Sequence, residues 1–361
     1  MADASPYDPS KAHFAPEPLA HDRQLIRARY SSDGSLLAAV GVDKLIHVWE
    51  SATRRHYTLP GHATWVSALV FHPKTPRLFT GDFHGAVHAW DATKEGAPPL
   101  FTIAADRDNT RALAVTPDGA HLLSGGDDAI VRIWNADSGA PMREMPGHAG
   151  PVFSVAAHPD GKHAVSGDLF GRVIQWELGS GKVVREFDAK ALHTRKEDFI
   201  ADVGGVRCMT FSPDGTLLAC GGFSNAESNA FCPGTPLVLV FDNATGAKKT
   251  ELRYGFKSDG PVNGLRFLQD GTLAGWGEHQ NGPTQLVFWK LDAPEPFHKV
   301  AANSAYDLDL HPDGTRLLAP VFKALGPGGN GALRKELREK YVAPGAQLLV
   351  CNLFAAPAVQ K

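Results

Sequence analysis

The chain has 361 residues, enough for one large closed β-domain or two ordinary domains, and its 43% hydrophobic and 21% charged residues suit a soluble globular protein. Its 36 Lys and Arg against 39 Asp and Glu leave a formal net charge of -3, which argues against a general nucleic-acid binder, a class that carries a basic excess. The first residues show neither the basic start nor the apolar run of a secretory signal, and no stretch approaches the roughly 18 apolar residues of a membrane span, so a cytosolic location is expected.

In chain order, residues 1–12 read as an N-terminal tail, residues 13–354 as one repeat domain and residues 355–361 as a C-terminal tail. The 37 glycines and 26 prolines predict many tight turns, and one phrase recurs: apolar strand, Pro-Asp-Gly or a relative, a second apolar strand ending in Gly, then a third strand ending in a large ring. The turn reads Ser32-Asp33-Gly34, His72-Pro73-Lys74-Thr75-Pro76, Pro117-Asp118-Gly119, Pro159-Asp160-Gly161, Pro213-Asp214-Gly215, Gln269-Asp270-Gly271 and Pro312-Asp313-Gly314. The steps between copies are 42, 43, 42, 54, 56 and 43 residues. Pro fixes φ at the turn and Gly supplies the positive φ of a hairpin bulge, so each phrase predicts a β-hairpin. The third strands end at Trp49-Glu50, Trp90-Asp91, Trp134-Asn135, Trp176-Glu177, Phe241-Asp242, Trp289-Lys290 and Cys351-Asn352. A ring there fills the wedge that opens outward between neighbouring sheets.

The Gly61-His62 and Gly147-His148 pairs precede two repeats, and Ala20-His21 takes the same slot before the first. Together these residues resemble the WD40-repeat family over about residues 17–353. The resemblance implies an all-β fold, a seven-bladed β-propeller of four-stranded antiparallel blades. It also implies a structural network of His, strand hydroxyl, turn Asp and Trp in each blade. Asp43 and Asp128 lie six residues before Trp49 and Trp134, at the family's turn-Asp position, and Ser124 fits the hydroxyl. His84 and Phe170 replace the Asp in the second and fourth repeats, so the network is expected to be degraded, with packing resting mainly on apolar contact. The last repeat lacks a fourth strand, and His13–Leu19 is expected to supply it, closing the ring with its prolines on an edge strand.

Four insertions follow: Ala189–Val203, Phe223–Pro236, Trp276–Pro283 and Pro320–Gln347. Each follows a second or fourth strand, so all are expected on one face, around repeats four to seven. Long loops in compact domains are usually functional or disordered. In the last insertion, Leu333, Leu337 and Tyr341 share one face of a predicted helix. The preceding Gly326-Pro-Gly328-Gly-Asn-Gly331 matches a dinucleotide fingerprint in letters only, because it lacks the βαβ setting that the fingerprint needs. The same face is expected to display Trp65, Phe83, Phe170, Phe223 and Trp276, with Arg111 and Arg207 rimming the central channel. Aromatics and Arg are enriched at binding hot spots.

Catalytic chemistry is weak. The 16 histidines show no zinc-ligand spacing, and His72, His158 and His311, each before a turn, read as structural caps. Cys208, Cys220, Cys232 and Cys351 read as free thiols, with Cys208 and Cys220 as candidate cross-strand neighbours. Asp82 and Asp168 read as turn stabilisers or as a carboxylate pair at the channel mouth. No catalytic residue, cofactor or metal is assigned. The leading reading is a scaffold that docks a protein or peptide on the insertion-bearing face, with neither nucleic acid nor membrane as partner, as a monomeric propeller within a larger complex. The alternative is a hydrolase or metal-dependent enzyme, or a small-ligand binder, at the channel mouth.

Overall fold

Each Pro-Asp-Gly phrase closes a hairpin by the same local bonds. In Thr116–Gly119, the Gly119 amide donates to the Thr116 carbonyl at 2.8 Å, and Asp118 Oδ1 accepts from the Ala120 amide at 2.9 Å and the Thr116 hydroxyl at 2.6 Å. Gly119 sits at φ 81°, and the ring of His72 from the preceding blade lies where a side chain would go. The His72 Nε2–H donates to the Gly119 carbonyl at 3.0 Å, and its Nδ1 accepts from the Lys74 amide at 3.1 Å. His158 repeats this with Gly215 at 3.0 Å. These histidines pin the turn of one blade to the next, as their position before each turn implied.

The computed structural model describes residues 7–16, 18–227, 234–255, 259–279, 284–322 and 346–354. They form seven antiparallel sheets in a ring, plus one small hairpin. The inner strands are Leu25–Tyr30, Val66–Phe71, Thr110–Val115, Val152–Ala157, Cys208–Phe211, Asp259–Phe267 and Asp309–Leu310. Each packs beside the next, and the last beside the first, so the ring is closed. The outer strand of the seventh blade comes from the N-terminus in two pieces, His13–Phe14 and Leu19–His21, both antiparallel to Ala346–Asn352. Pro16 and Pro18 fall between the pieces, where no ladder donor is needed.

The domain reaches further towards the N-terminus than the sequence suggests. Tyr7 bridges to Phe354, the Asp8 amide donates to the Leu353 carbonyl at 2.9 Å, and Ala12 is buried with Trp276 and Leu353. The apolar wedge between blades six and seven needs that cover. Cys208 and Cys220 are not partners: Cys208 faces Gly221 and Cys220 faces Met209, one residue apart in register and so on opposite faces of the sheet.

The buried polar network is complete in two blades, contrary to the expectation of a degraded one. In blade two the Trp90 Nε1–H donates to the Thr80 hydroxyl at 2.8 Å, His62 Nε2 pairs with that hydroxyl at 2.7 Å, and His62 Nδ1 pairs with Asp82 Oδ2 at 2.8 Å. Asp82 Oδ1 also accepts from the His84 and Ala86 amides, both at 3.0 Å. Blade four repeats the chain with Trp176, Ser166, His148 and Asp168. The carboxylate comes from two residues before the family position, still inside the same turn, so the turn closes and the bond is made. Asp82 and Asp168 therefore stabilise turns; they are not a pair at the channel mouth. In blade three Trp134 bonds Ser124 at 2.9 Å, but Asp106 holds the histidine slot beside Asp128.

Burial works against the Asp82 charge, yet the His62 hydrogen bond and the Ala86 and His84 amides outweigh it and hold the carboxyl below its usual range. A depressed carboxylate stabilises the fold above its unfolded pKa and stops doing so as pH falls through the folded value. Asp82→Ala should therefore cost about 2–4 kcal/mol in urea unfolding at neutral pH, with the gap to the parent closing on acidification. Asp106 behaves oppositely. Burial pushes its carboxyl up to about 6, and Asp128 adds to this while the Asp108 amide opposes it. A raised carboxylate favours the fold below its unfolded pKa, and that benefit is lost as pH rises through the folded value. Asp106→Asn should be more stable than the parent near about pH 7.5 and lose that advantage near about pH 4, read from paired unfolding curves.

Candidate functional site

Four inner strands bulge at their second residue and a fifth, Asp259–Phe267, at Asn263, and a bulge re-aims the side chain it carries. The bulged residues include Ser67, Arg111, Phe153 and Asn263, and Arg207 stands just before its inner strand. These positions lie at the start of the inner strands. In an up-and-down blade that is the end from which loops after second and fourth strands emerge.

The bulges build a polar channel mouth. Arg111 and Arg207, one from each neighbouring blade, lie with their guanidinium carbons 4.9 and 4.6 Å from the centroid of the Phe153 ring. Stacking on an aromatic face holds a guanidinium in place without using its in-plane donors. Arg111 also makes a two-point contact with Asp127, its Nη2–H donating to Oδ2 at 3.1 Å. Deeper in the channel, Arg27 donates to the Tyr306 carbonyl at 2.7 Å, Arg29 bonds Asp307, and Arg266 bonds Asp309 at 3.0 Å. Burial works against the Arg29 charge, and Asp307 and Asp309 outweigh it and keep the guanidinium protonated. Burial is also the main influence on Arg27 and draws it below its usual range, with Asp307 opposing.

These residues enclose a cavity of about 80 Å³. Several waters fit such a volume, since one needs about 10–15 Å³. Among the described residues lining it are five arginines, one carboxylate (Asp307) and no histidine. That set can recognise oxygen anions and carbonyls.

Trp65 and Phe83 stand beside each other on blade two, 48% and 40% exposed, with ring centroids 5.8 Å apart in an edge-to-face pair. They are displayed at the surface, as are parts of Arg111 and Phe170. Phe170 is half-buried, and its ring meets the edge of His193 at 5.5 Å. Phe223 and Trp276 are different: each is 1% exposed and belongs to the interior. The first insertion folds as a hairpin, His193–Lys196 with Ala201–Gly204, and its Val203 packs on Phe223 together with Ala226. Trp276 fills the wedge between blades six and seven, against Phe14, and donates from Nε1 to the Asn303 carbonyl at 3.0 Å. Leu333, Leu337, Tyr341 and the glycine run 326–331 lie outside the described residues.

Sequence reasoning missed Phe153, Arg27, Arg29 and Arg266. A signal was present for Phe153: it holds the same place in its strand as Arg111 does in the preceding inner strand.

The repeat model described as "WD domain, G-beta repeat" matches residues 19–50, 53–91, 98–135, 139–176 and 196–225. The chain is 40% identical over 73 residues to a U3 snoRNP-associated protein-like EMB2271 of Arabidopsis thaliana, which covers 20% of this chain and 15% of that protein. It is 25% identical over 142 residues to a pre-mRNA-processing factor 19 homolog 2 of Arabidopsis thaliana, covering 38% and 27% of the two chains. It is 31% identical over 125 residues to a cilia- and flagella-associated protein 52 of Chlamydomonas reinhardtii, covering 35% and 18%. The matches thus span less than a third of each of these curated relatives. Five matched repeats, within a closed ring of seven four-stranded blades that carries the buried Trp, hydroxyl, His and Asp chain, show that the protein belongs to the WD40-repeat family.

Proposed function

We propose that the protein is an interaction scaffold that docks a protein or peptide on the insertion-bearing face, acting as a single propeller within a larger complex. The observation that carries this reading is the Arg111, Phe153, Arg207 row at the channel mouth, with the exposed Trp65 and Phe83 pair on the same face. Arginine and tryptophan are the side chains that dominate binding energy at protein interfaces. Rigid strands hold these groups, so little conformational freedom is lost when a partner arrives. The arginines favour a partner segment that brings carboxylates or backbone carbonyls to the channel. Two of the relatives bear names tied to a ribonucleoprotein or to pre-mRNA processing and a third to cilia and flagella. One module shared among such different settings suits a docking role better than a common reaction.

A photocrosslinking side chain placed at position 65 or 83, in extract of the native cells, should capture the same discrete protein, while one at Ser138 on the opposite face should not. Arg207→Glu should weaken that capture at least about tenfold, as expected for a reversed charge at an interface. Capture mainly from position 138, or capture indifferent to Arg207→Glu, contradicts the reading.

A further inference from the structure

Blade one departs from its neighbours at the place where they keep the buried chain. The hydroxyl position, Thr80 in blade two and Ser166 in blade four, is Ala39 in blade one, directly across from His47. His21 therefore has no strand hydroxyl to bond. Its Nε2 faces Asp43 Oδ2 at 3.7 Å instead, and the His47 Nε2 lies 2.8 Å from the same oxygen. The two imidazole rings meet edge to face with centroids 4.1 Å apart. The side chains of His21, Asp43 and His47 are only 9%, 14% and 4% exposed.

We propose that His21 Nε2, His47 Nε2 and Asp43 Oδ2 bind one divalent cation of the zinc class, at the seam between the last blade and the first. All three donor atoms lie within 4.8 Å of one another. A tetrahedral zinc with bonds of 2.0–2.1 Å sets its donors about 3.4 Å apart, so shifts of under about 1 Å complete three corners. Asp22, highly exposed, has an oxygen 3.8 Å from the same His21 nitrogen and is placed to supply the fourth donor, as is water. The outer contacts also fit. Metal-bound histidines usually donate their second N–H to a carbonyl or another acceptor. His21 Nδ1 is 3.0 Å from the Arg23 carbonyl, to which it donates when Nε2 holds the ion, in place of accepting from the Arg23 amide at 3.1 Å, and His47 Nδ1 is 3.0 Å from His56 Nε2.

The other two His and Asp groupings make useful contrasts. In blade two, His62 gives its Nε2, the atom by which His21 faces Asp43 in blade one, to the Thr80 hydroxyl at 2.7 Å. In the turn of blade four, His158 Nε2 is committed to the Gly215 carbonyl. His21 ends the strand Leu19–His21, which closes the ring against Ala346–Asn352, whereas Asp43 and His47 belong to blade one. The ion would thus clip the closing strand to the first blade. A ligand bound only by the folded state stabilises it by mass action.

The test uses the full, untagged chain after chelator treatment, titrated with Zn²⁺ by calorimetry and with Co²⁺ by visible absorption. The proposal expects one Zn²⁺ per chain bound at micromolar or tighter Kd, the absorption of a four-coordinate cobalt site, and a Tm raised by a few degrees. His47→Ala and the isosteric Asp43→Asn should each weaken binding by about 100-fold or more, and His56→Ala by about tenfold. His88→Ala, in the blade-two grouping of His62, Asp82 and His88, should leave Zn²⁺ binding unchanged. Asp43→Asn keeps the shape of the turn, so loss of binding in that variant with unchanged circular dichroism cannot be ascribed to misfolding. Binding only at millimolar Zn²⁺, or tight binding that survives Asp43→Asn and His47→Ala, overturns the proposal.

Discussion

The hydrogen bond between His62 and Asp82, and its copy between His148 and Asp168, is where three separate parts of a blade are tied together. A carboxylate as buried as Asp82, 1% exposed, is tolerated only when charge and hydrogen bonds compensate for lost water. Asp82 obtains them from the turn that it opens and from a histidine on the incoming loop, and the histidine passes the chain through Thr80 to the indole of Trp90. Turn, loop and wedge ring are thereby fixed relative to one another. Trp65 and Phe83 flank this chain in sequence, so the surface they present rests on a rigid base.

The irregular features stand on that regular ring. Bulges in the inner strands turn Arg111 and Phe153 into the channel mouth, next to Arg207. The channel arginines are costly to gather, because like charges repel in a partly dry space, and Asp127, Asp307 and Asp309 offset much of that cost. The hairpin 193–204 covers Phe223 and touches Phe170, so one insertion is part of the packed body rather than a free arm.

Much of the fold was legible in the sequence because its period is enforced by geometry. Each blade has one Pro-Asp-Gly-like turn and six of the seven carry a wedge ring, with Cys351 in the seventh, and the count of seven followed from the turns. The closing strand was legible too, since the last repeat was one strand short. The buried network was misread because the carboxylate moved two residues within its turn, from the position of His84 to that of Asp82, while its oxygen reached the same histidine. Spacing records chain position, and the hydrogen bond depends on where the oxygen ends. The aromatics divided for a similar reason. Sequence placed Phe223 and Trp276 near strand ends, but exposure there depends on what covers the end, and an insertion covers one while Phe14 and its neighbours cover the other. The channel arginines come from sequence-distant segments, Arg27 and Arg29 from the first inner strand and Arg266 from the sixth, and only the closed ring brings them together.

Amide hydrogen exchange of the protein with and without its captured partner bears most directly on the central claim that one face does the docking. The account predicts slowed exchange at the amides of residues 65, 83, 111 and 207, with the turns at Asp118, Asp160 and Asp214 on the opposite face unchanged. Protection centred on those three turns, with the channel mouth exchanging as it does in the free protein, would contradict it.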